Sequence, residues 1–406
     1  FKFFSLLMAI ISERINRFEQ SLTVKISQKA RELKLSGRKI ISLSSGEPDF
    51  DTPEHIKNKA IEAIKDGFTK YTQVDGIIEL KESIKNKLKK ENNLFYECSQ
   101  ITVGVGGKHV IYNLFMSSIN RNDEVIIPAP YWVSYPDIIS LCGGKPVVVE
   151  TSLSENFKIT PQMLEKNIND KTKWFIINSP CNPTGAVYSK EEIKELASVL
   201  IKYPSVMILS DDIYEHIIYE NKNFYNILNV EPKLFDRTFL VNGVSKAYSM
   251  TGWRIGYGAG PKKIIKAIAK IQSQSTTNPC SISQMAAKFA LDKPKDFLKD
   301  WLKRFEERRN YLINFFNSIE GFKVFVPEGA FYLFVCCDGF INKESKLKTI
   351  DDDLSFCEFL LDEAGVAVVP GIAFGVSPFF RISYATSFEN LKDACELISE
   401  AIKKLK

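Results

Sequence analysis

Residues 101–130 of the chain read ITVGVGGKHVIYNLFMSSINRNDEVIIPAP, and the expected fold class follows from this stretch. A short run rich in Val and Ile is followed by a glycine pair, a segment of helical periodicity and a second Val and Ile run. The order predicts a strand, a helix and another strand. Repeats of this unit build parallel sheets that are covered by helices on both faces.

The same alternation continues to about residue 260. Predicted strands occupy residues 101–105, 124–128, 146–150, 174–178, 206–210, 238–242 and 255–258. We therefore predict an α/β fold, with a mostly parallel seven-stranded sheet between helices in a large domain.

From residue 294 onward the pattern changes, and this change predicts a smaller α+β domain. Amphipathic helices at residues 297–319 and 353–364 stand among strand-like segments at residues 323–327, 330–335, 366–369 and 380–384. We expect a large domain at residues 51–293 and a small domain at residues 294–406. Residues 1–50, with a helix at 23–35, form an N-terminal segment that is expected to pack with the small domain.

The composition excludes several classes of protein. The 406 residues are 45% hydrophobic and 25% charged, which is typical of a soluble globular protein long enough for two domains. The formal charge of +5, from 54 Lys and Arg against 49 Asp and Glu, is too dilute to indicate a nucleic-acid partner. The basic tract at residues 81–90 is interpreted as one solvated helix face.

The cysteines, the histidines and the apolar start of the chain do not indicate special sites. The eight cysteines form no CxxC pair and the three histidines no HxxxH pair, so we predict no metal site, no disulfide framework and a reducing cytoplasmic location. Residues 1–11, FKFFSLLMAII, are short and lack a cleavage pattern of small residues. We therefore predict neither a signal peptide nor a membrane span there.

The ends of the predicted strands carry the residues of chemical interest, because open α/β sheets bind ligands at that edge. Gly106-Gly107-Lys108 opens a helix whose free N–H groups can hold a phosphate, although a glycine pair is as often a packing turn. Ser179 to Gly185, SPCNPTG, is a rigid turn that fixes Asn182, or an ordinary surface turn.

Two further strand ends add an acid and a lysine. Asp211 and Tyr214 follow residues 206–210, where a carboxylate is more often a helix N-cap. Ser245-Lys246 and then Arg254 follow residues 238–242, although most lysines are simply solvated. Together these groups suit pyridoxal 5′-phosphate, which needs a lysine for its imine, an acid for its pyridine nitrogen and donors for its phosphate.

A set of motifs in order makes the chain resemble a known family. The motifs are GEPDFDTP at 46–53, KY at 70–71, GGK at 106–108, PYW at 130–132, NPTG at 182–185, SD at 210–211 with Tyr214, SK at 245–246, TGWR at 251–254 and RISYATS at 381–387. From about residue 10 to residue 406 the chain resembles the class I/II aminotransferases of fold type I. Within them it is most similar to the bacterial aspartate aminotransferases of the Iγ branch.

The resemblance implies a role for each cofactor-binding residue. Lys246 would carry the cofactor as an internal aldimine and shuttle the substrate proton, while Asp211 would pair with the pyridinium nitrogen. Tyr214 and Asn182 would bind the phenolic oxygen, and Trp132 would stack on the ring or, on composition alone, be a core aromatic residue. The implied phosphate ligands are Gly106, Gly107, Lys108, Ser245, Arg254 and Tyr71, the last from the second subunit of a homodimer with shared active sites.

The resemblance also implies substrate contacts. Arg381 would bind the α-carboxylate through its planar fork, and Gly46 would let the backbone approach the same group. Trp132 and Asn182 would also touch the substrate. Lys108, Ser21 and Thr23 would bind the distal carboxylate.

The predicted activity is ping-pong transamination between L-aspartate and 2-oxoglutarate, giving oxaloacetate and L-glutamate. Alternatives are another amino donor (aromatic, branched-chain, alanine, or prephenate/arogenate), a fold-type I lyase, or a non-catalytic regulatory relative. Prephenate-active members of the branch carry a lysine before a Pro-Ser pair, whereas Glu19-Gln20-Ser21 stands here, which speaks against prephenate. A nicotinamide dehydrogenase is disfavoured because no strand is followed by GxGxxG. The expected partners are amino acids and 2-oxo acids, with no nucleic acid, membrane or metal.

Overall fold

Thirteen strands are found in the described part of the chain. The structure is a computed structural model that describes residues 11–18, 22–220, 222–345 and 349–406. The strands are β1 (Ile41–Ser42), β2 (Ile101–Gly104), β3 (Glu124–Ala129), β4 (Lys145–Glu150), β5 (Thr172–Asn178), β6 (Met207–Asp211), β7 (Thr238–Gly243), β8 (Gly256–Ala259), β9 (Lys323–Val324), β10 (Tyr332–Cys336), β11 (Val366–Ala367), β12 (Val369–Pro370) and β13 (Phe379–Ser383).

Helices alternate with these strands. The α-helices are α1 (Leu22–Leu35), α2 (Glu54–Lys65), α3 (Ile78–Asn92), α4 (Gly107–Ser118), α5 (Ser134–Leu141), α6 (Pro161–Asn167), α7 (Lys190–Lys202), α8 (Ile227–Val230), α9 (Lys262–Ser273), α10 (Ser281–Asp292), α11 (Phe297–Asn317), α12 (Asp353–Phe359) and α13 (Phe388–Ile402). Short 3₁₀ turns are Glu13–Arg17, Cys98–Gln100, Leu153–Glu155, Pro232–Arg237, Asp338–Phe340 and Gly371–Phe374, and Leu360–Ala364 is a π turn.

The large sheet has seven strands in the order β2-β8-β7-β6-β5-β3-β4. Only β8 runs antiparallel to its neighbours β2 and β7, while the β4-β3-β5-β6-β7 pairings are parallel. Each of the seven predicted strands overlaps one of these. The prediction of an α/β fold with a mostly parallel seven-stranded sheet is confirmed.

Both faces of the central strands of this sheet are buried, which explains why these strands lack polar alternation, whereas the edge strand β4 is partly exposed. In β5 the side chains of Phe175 and Ile177 pack in one core, and those of Trp174 and Ile176 pack in another on the opposite face. Helices cover both cores. In α7, for example, Ser189 accepts a hydrogen bond from the backbone N–H of Glu192, so the helix begins where the sequence offers a capping box.

A second sheet, in the order β12-β13-β10-β9, is antiparallel and forms the core of the C-terminal part. Strand β1 of the N-terminal segment pairs with β11 in parallel. Helix α13, capped by Ser387, was not predicted from the sequence. The apolar core of the C-terminal sheet also contains Tyr214, Ile217 and Tyr219 of the predicted large domain, and the division at residues 50 and 293 stays a prediction.

The interpretation of the basic tract 81–90 as one solvated face is wrong. The side chains of Lys81 and Lys87 are buried on α3, where Lys81 pairs with Asp75 at 2.7 Å and Lys87 pairs with the buried Glu215. These lysines share the helix face of the core residues, so each needs a carboxylate partner. Within the described residues, no helix is both long and apolar enough to cross a membrane.

Candidate active site

A cavity of about 560 Å³ lies at the carboxyl ends of β5, β6 and β7. Most of the residues predicted from strand ends and motifs line it. They are Gly46, Gly107, Lys108, Trp132, Asn182, Asp211, Tyr214, Ser245, Lys246, Arg254 and Arg381. The convergence expected at one edge of the sheet is therefore present.

Lys246 follows β7 by three residues, and its side chain enters the cavity. Its Nζ donates a hydrogen bond to the carbonyl oxygen of Gly46 and lies 5.8 Å from the centre of the Tyr214 ring. Burial, helped by the positive charge of Arg381, lowers the pKa of Lys246 to about 8. A neutral amine is therefore accessible near physiological pH, as a nucleophile or a base requires.

Asp211 is the last residue of β6 and is buried. Its Oδ2 accepts a hydrogen bond of 2.6 Å from the hydroxyl of Tyr135, and its Oδ1 accepts a longer one of 3.3 Å from the backbone N–H of Ile213. Burial raises the pKa of Asp211 to about 6, although Tyr135 and Lys246 oppose this rise. The carboxylate is therefore poised to pair with a cationic ligand group.

Arg381 on β13 reaches across to the turn after β5. Its Nη1 donates to Oδ1 of Asn182 at 2.9 Å, and its Nη2 donates to the carbonyl of Ser44 at 2.8 Å. The guanidinium carbon lies 4.5 Å from the ring centre of Tyr332 and 4.9 Å from that of Phe374. The buried Nε has no hydrogen-bond partner among the described residues. Each Nη uses only one of its two N–H groups in these bonds, so donor capacity remains for a ligand.

Tyr214 is buried, and its hydroxyl lies 2.7 Å from that of Tyr332. Burial raises the pKa of Tyr214 well above its usual value, so the phenol stays protonated and can donate. A Cβ on Gly46 would lie 3.0 Å from the Tyr332 hydroxyl, so Gly46 allows the backbone to pass close to this pair.

The glycine turn before α4 is tightly built around Arg254. Gly106 has φ +84°, and a Cβ there would lie 2.3 Å from Nη2 of Arg254. A Cβ on Gly256 would lie 2.2 Å from the backbone nitrogen of Gly107. Arg254 also donates from Nη1 to the carbonyl of Thr251 at 2.7 Å. The free N–H groups at the start of α4 and a guanidinium thus flank one corner of the cavity, beside Ser245.

Trp132 and Lys108 form another wall. Nζ of Lys108 lies 5.1 Å from the Trp132 ring, a distance suited to a cation–π contact. Burial and the charge of Arg254 lower the pKa of Lys108, whereas Asp137 opposes this effect. Trp132 is half-buried, which leaves part of its ring open to the cavity.

Four predicted site residues are not among those that line this cavity in the described structure. One of them, Gly106, immediately precedes the lining residue Gly107. Tyr71 is 88% exposed and does not line it, so the role expected from a second subunit stays a prediction. Ser21 and the side chain of Thr23 lie outside the described residues. Their neighbours on α1, Val24 and Ser27, do line the cavity.

Sequence reasoning missed several cavity residues, notably Tyr135, Asn178, Tyr332 and Ser44. Asn178 ends a predicted strand, and its side chain donates to the carbonyl of Asp211 at 2.9 Å, so its position was a usable signal. Tyr332 and Ser44 lie far from the strand-end motifs in sequence. They reach the cavity through β10 and the segment after β1.

Comparison with known proteins agrees with this geometry. Residues 38–398 match the family model described as "Aminotransferase class I and II". The chain belongs to this family. The class I and II aminotransferases use pyridoxal 5′-phosphate, and this chain is accordingly an aminotransferase with that cofactor.

Individual relatives extend over nearly the whole chain. A protein of Rickettsia typhi named "Probable aspartate/prephenate aminotransferase" is 55% identical over 98% of this chain and 100% of its own length. The crystal structure of the aspartate aminotransferase from Rhizobium meliloti aligns with a TM-score of 0.95 and 49% identity, covering 98% of this chain and 99% of that one. The Thermus thermophilus aspartate aminotransferase with maleate aligns with a TM-score of 0.90 and 40% identity, over 96% and 99%.

The residues of this aminotransferase fit the cofactor. Gly106 leaves room for the Arg254 guanidinium, and the start of α4 offers N–H groups to a phosphate. The buried Asp211 offers a carboxylate for a protonated ring nitrogen, and Lys246 offers an amine of lowered pKa. The donor set matches an anionic, aldehyde-bearing aromatic ligand.

Proposed function

We propose that this aminotransferase transfers the amino group of L-aspartate to 2-oxoglutarate, forming oxaloacetate and L-glutamate in two half-reactions at one site. The observation that carries the proposal is the charge of the cavity. Among the described residues that line it, the cationic side chains are Lys108, Lys246, Arg254 and Arg381, and the acidic ones are Glu47 and Asp211. This excess suits a phosphate-bearing cofactor together with a dicarboxylate substrate.

Pyridoxal 5′-phosphate supplies an aldehyde that condenses with amines and a ring that withdraws electrons from the substrate Cα. Lys246 would bind it covalently and, once released, remove and return the proton at Cα with its Nζ. Asp211 would hold the proton on the ring nitrogen. Tyr214 and Asn182 would donate to the phenolic oxygen, and Trp132 would cover one face of the ring.

The phosphate would be bound at the corner formed by the start of α4. Its ligands would be the backbone at Gly106, Gly107 and Lys108, with the side chains of Ser245 and Arg254. Tyr71 of a second copy would complete this site, and we therefore propose a homodimer. The eight free cysteines support the proposal of a reducing, cytoplasmic compartment.

Arg381 would bind the substrate α-carboxylate. Each Nη keeps one N–H beyond its bond to Asn182 or Ser44, and the Tyr332 and Phe374 rings pack near the guanidinium. Lys108, with Ser21 and Thr23, would bind the distal carboxylate. The names of the Rhizobium and Thermus structures support aspartate, and maleate in the latter is a four-carbon dicarboxylate.

Prephenate is a second candidate acceptor, because the Rickettsia relative carries that name. The Glu19-Gln20-Ser21 segment, which lacks the expected lysine, argues against it but lies outside the described residues. Steady-state rates with aspartate as donor and either 2-oxoglutarate or prephenate as acceptor separate the two.

The test of the main proposal is a panel of about twenty amino donors with the cofactor-loaded protein. We expect the highest kcat/KM for aspartate and glutamate, and no turnover by Lys246→Ala. Lys108→Met should raise KM for aspartate about tenfold while alanine is little affected, and the exposed Lys403→Met serves as its control. A kcat/KM for tyrosine or alanine far above that for aspartate would overturn the choice of substrate.

A further inference from the structure

Tyr135 is a buried tyrosine that touches two walls of the active-site cavity. It lies in the first turn of α5 and is only 1% exposed. Its hydroxyl donates the 2.6 Å hydrogen bond to Oδ2 of Asp211, 76 residues away in sequence. Its ring meets Trp132 edge to face, with centroids 5.2 Å apart and an interplanar angle of 84°.

We propose that Tyr135 is a positioning residue, which orients the Asp211 carboxylate toward the cofactor ring nitrogen and braces Trp132 on the ring face. The proposal rests on the function proposed above for Asp211 and Trp132. It adds a residue that acts on the cofactor through these two side chains.

The donor direction of this hydrogen bond is set by burial. Burial, with the neighbouring Asp211 charge, raises the pKa of Tyr135 well above its usual value. The phenol therefore keeps its proton and donates a hydrogen bond to the carboxylate. Each carboxylate oxygen accepts about two hydrogen bonds, and the described residues supply only one to each oxygen of Asp211. Acceptor capacity is therefore left for a ring N–H.

The bond also favours the charged form of Asp211. A carboxylate this deeply buried would otherwise take up a proton, and a neutral acid would not hold a pyridinium. The titratable groups that face it are Tyr135 from α5, Cys181 from the turn after β5, Asp212 and Tyr214 from its own loop, and Lys246 from the loop after β7. Among these, Tyr135 is the one that donates a side-chain hydrogen bond to Asp211.

The test compares Tyr135→Phe with a matched control, Tyr96→Phe. Tyr96 is also buried in the large domain, at 2% exposure, but its hydroxyl has no partner in the described structure and does not line the cavity. Both variants remove one buried hydroxyl. Apoprotein melting temperatures report any general damage to the fold.

Three readouts separate positioning from a structural role. Tyr135→Phe should bind pyridoxal 5′-phosphate about tenfold more weakly than the wild type, whereas Tyr96→Phe stays within twofold. The pH midpoint of the bound cofactor's visible absorption band should rise by about half a unit or more, because a less firmly protonated ring withdraws fewer electrons. In kinetics kcat should fall about tenfold, with KM for the amino donor changed less than threefold.

A double-variant cycle tests whether Tyr135 acts through Asp211. If it does, adding Tyr135→Phe to Asp211→Asn should cause little further loss of cofactor affinity. Tyr135→His retains a ring N–H donor. Its cofactor affinity, pH midpoint and kcat should therefore lie between those of Tyr135→Phe and the wild type.

The outcomes are distinguishable. Equal cofactor affinity and equal pH midpoints in Tyr135→Phe and Tyr96→Phe, or full additivity with Asp211→Asn, would overturn the inference and leave the proposed function intact. A wild-type protein that shows no visible band with pyridoxal 5′-phosphate would instead overturn the proposed function itself.

Discussion

Replacing Gly106 by alanine should weaken cofactor binding more than it destabilises the protein. Gly106 combines φ +84° with ψ 161°, a backbone conformation that is essentially confined to glycine. An added Cβ would also lie 2.3 Å from Nη2 and 2.9 Å from Cζ of Arg254. Two separate costs therefore arise at one position.

The first cost is backbone strain, of order 1–3 kcal/mol, and it lowers the free energy of unfolding. The second cost falls on Arg254. Its exposed guanidinium is the end of a flexible side chain and can move aside cheaply, but the move takes it from the proposed phosphate site. Loss of a charge-assisted hydrogen bond costs about 1.5–3 kcal/mol, which is roughly a ten- to hundredfold loss of cofactor affinity.

The assay is titration of the apoprotein with pyridoxal 5′-phosphate, followed by absorbance, together with apoprotein melting. Gly67→Ala is the control, because Gly67 also has positive φ, +74°, but no atom lies within 4 Å of its added Cβ. Gly67→Ala should lower the melting temperature with an unchanged cofactor affinity. If Gly106→Ala also binds the cofactor like the wild type, or still loses affinity on an Arg254→Ala background, the reasoning is refuted.

Three further predictions follow from particular contacts. Arg381→Lys keeps the positive charge but loses the planar guanidinium with its two parallel N–H donors. The kcat/KM for aspartate should therefore fall about a hundredfold, while the absorption of the bound cofactor persists. An unchanged kcat/KM would exclude Arg381 as the carboxylate ligand. Lys87→Met removes the lysine that pairs with the buried Glu215 and should lower the free energy of unfolding, measured in urea, by about 3–5 kcal/mol. The control Lys89→Met, on the exposed face, should lower it by less than about 0.5 kcal/mol. Equal effects would contradict the buried pairing. Burial alone would raise the pKa of Glu91, but its contacts with His216, Lys87 and Lys295 lower the pKa to about 2, below its unfolded value. The stabilisation from this carboxylate is therefore complete above about pH 4.5 and is lost as the pH falls toward 2. Glu91→Gln should flatten the acid side of a plot of melting temperature against pH, and an unchanged slope would count against these contacts.

Local patterns gave usable information about the strands and about the chemistry at their ends. The run TKWFIIN of β5 is apolar on both faces, as expected for a buried strand. The rigid turn that holds Asn182 follows this strand directly, so its place in the sequence indicated that it lies at the edge of the sheet that forms the cavity. The tract 81–90 shows where such reasoning fails. Charge alone indicated solvation, but helical periodicity places Lys81 and Lys87 on the same face as the core residues Leu80, Ile84 and Leu88.

Local periodicity and the positions of strand ends were enough to predict the seven strands of the large sheet, its mostly parallel arrangement and most of the chemical groups at its carboxyl edge. Helix α13 and the contacts between side chains became visible only in the folded chain. Arg381 meets Asn182 across 199 residues, and Tyr135 meets Asp211 across 76. Such pairings depend on how separate elements pack against each other, and no local pattern encodes the partner that a side chain meets.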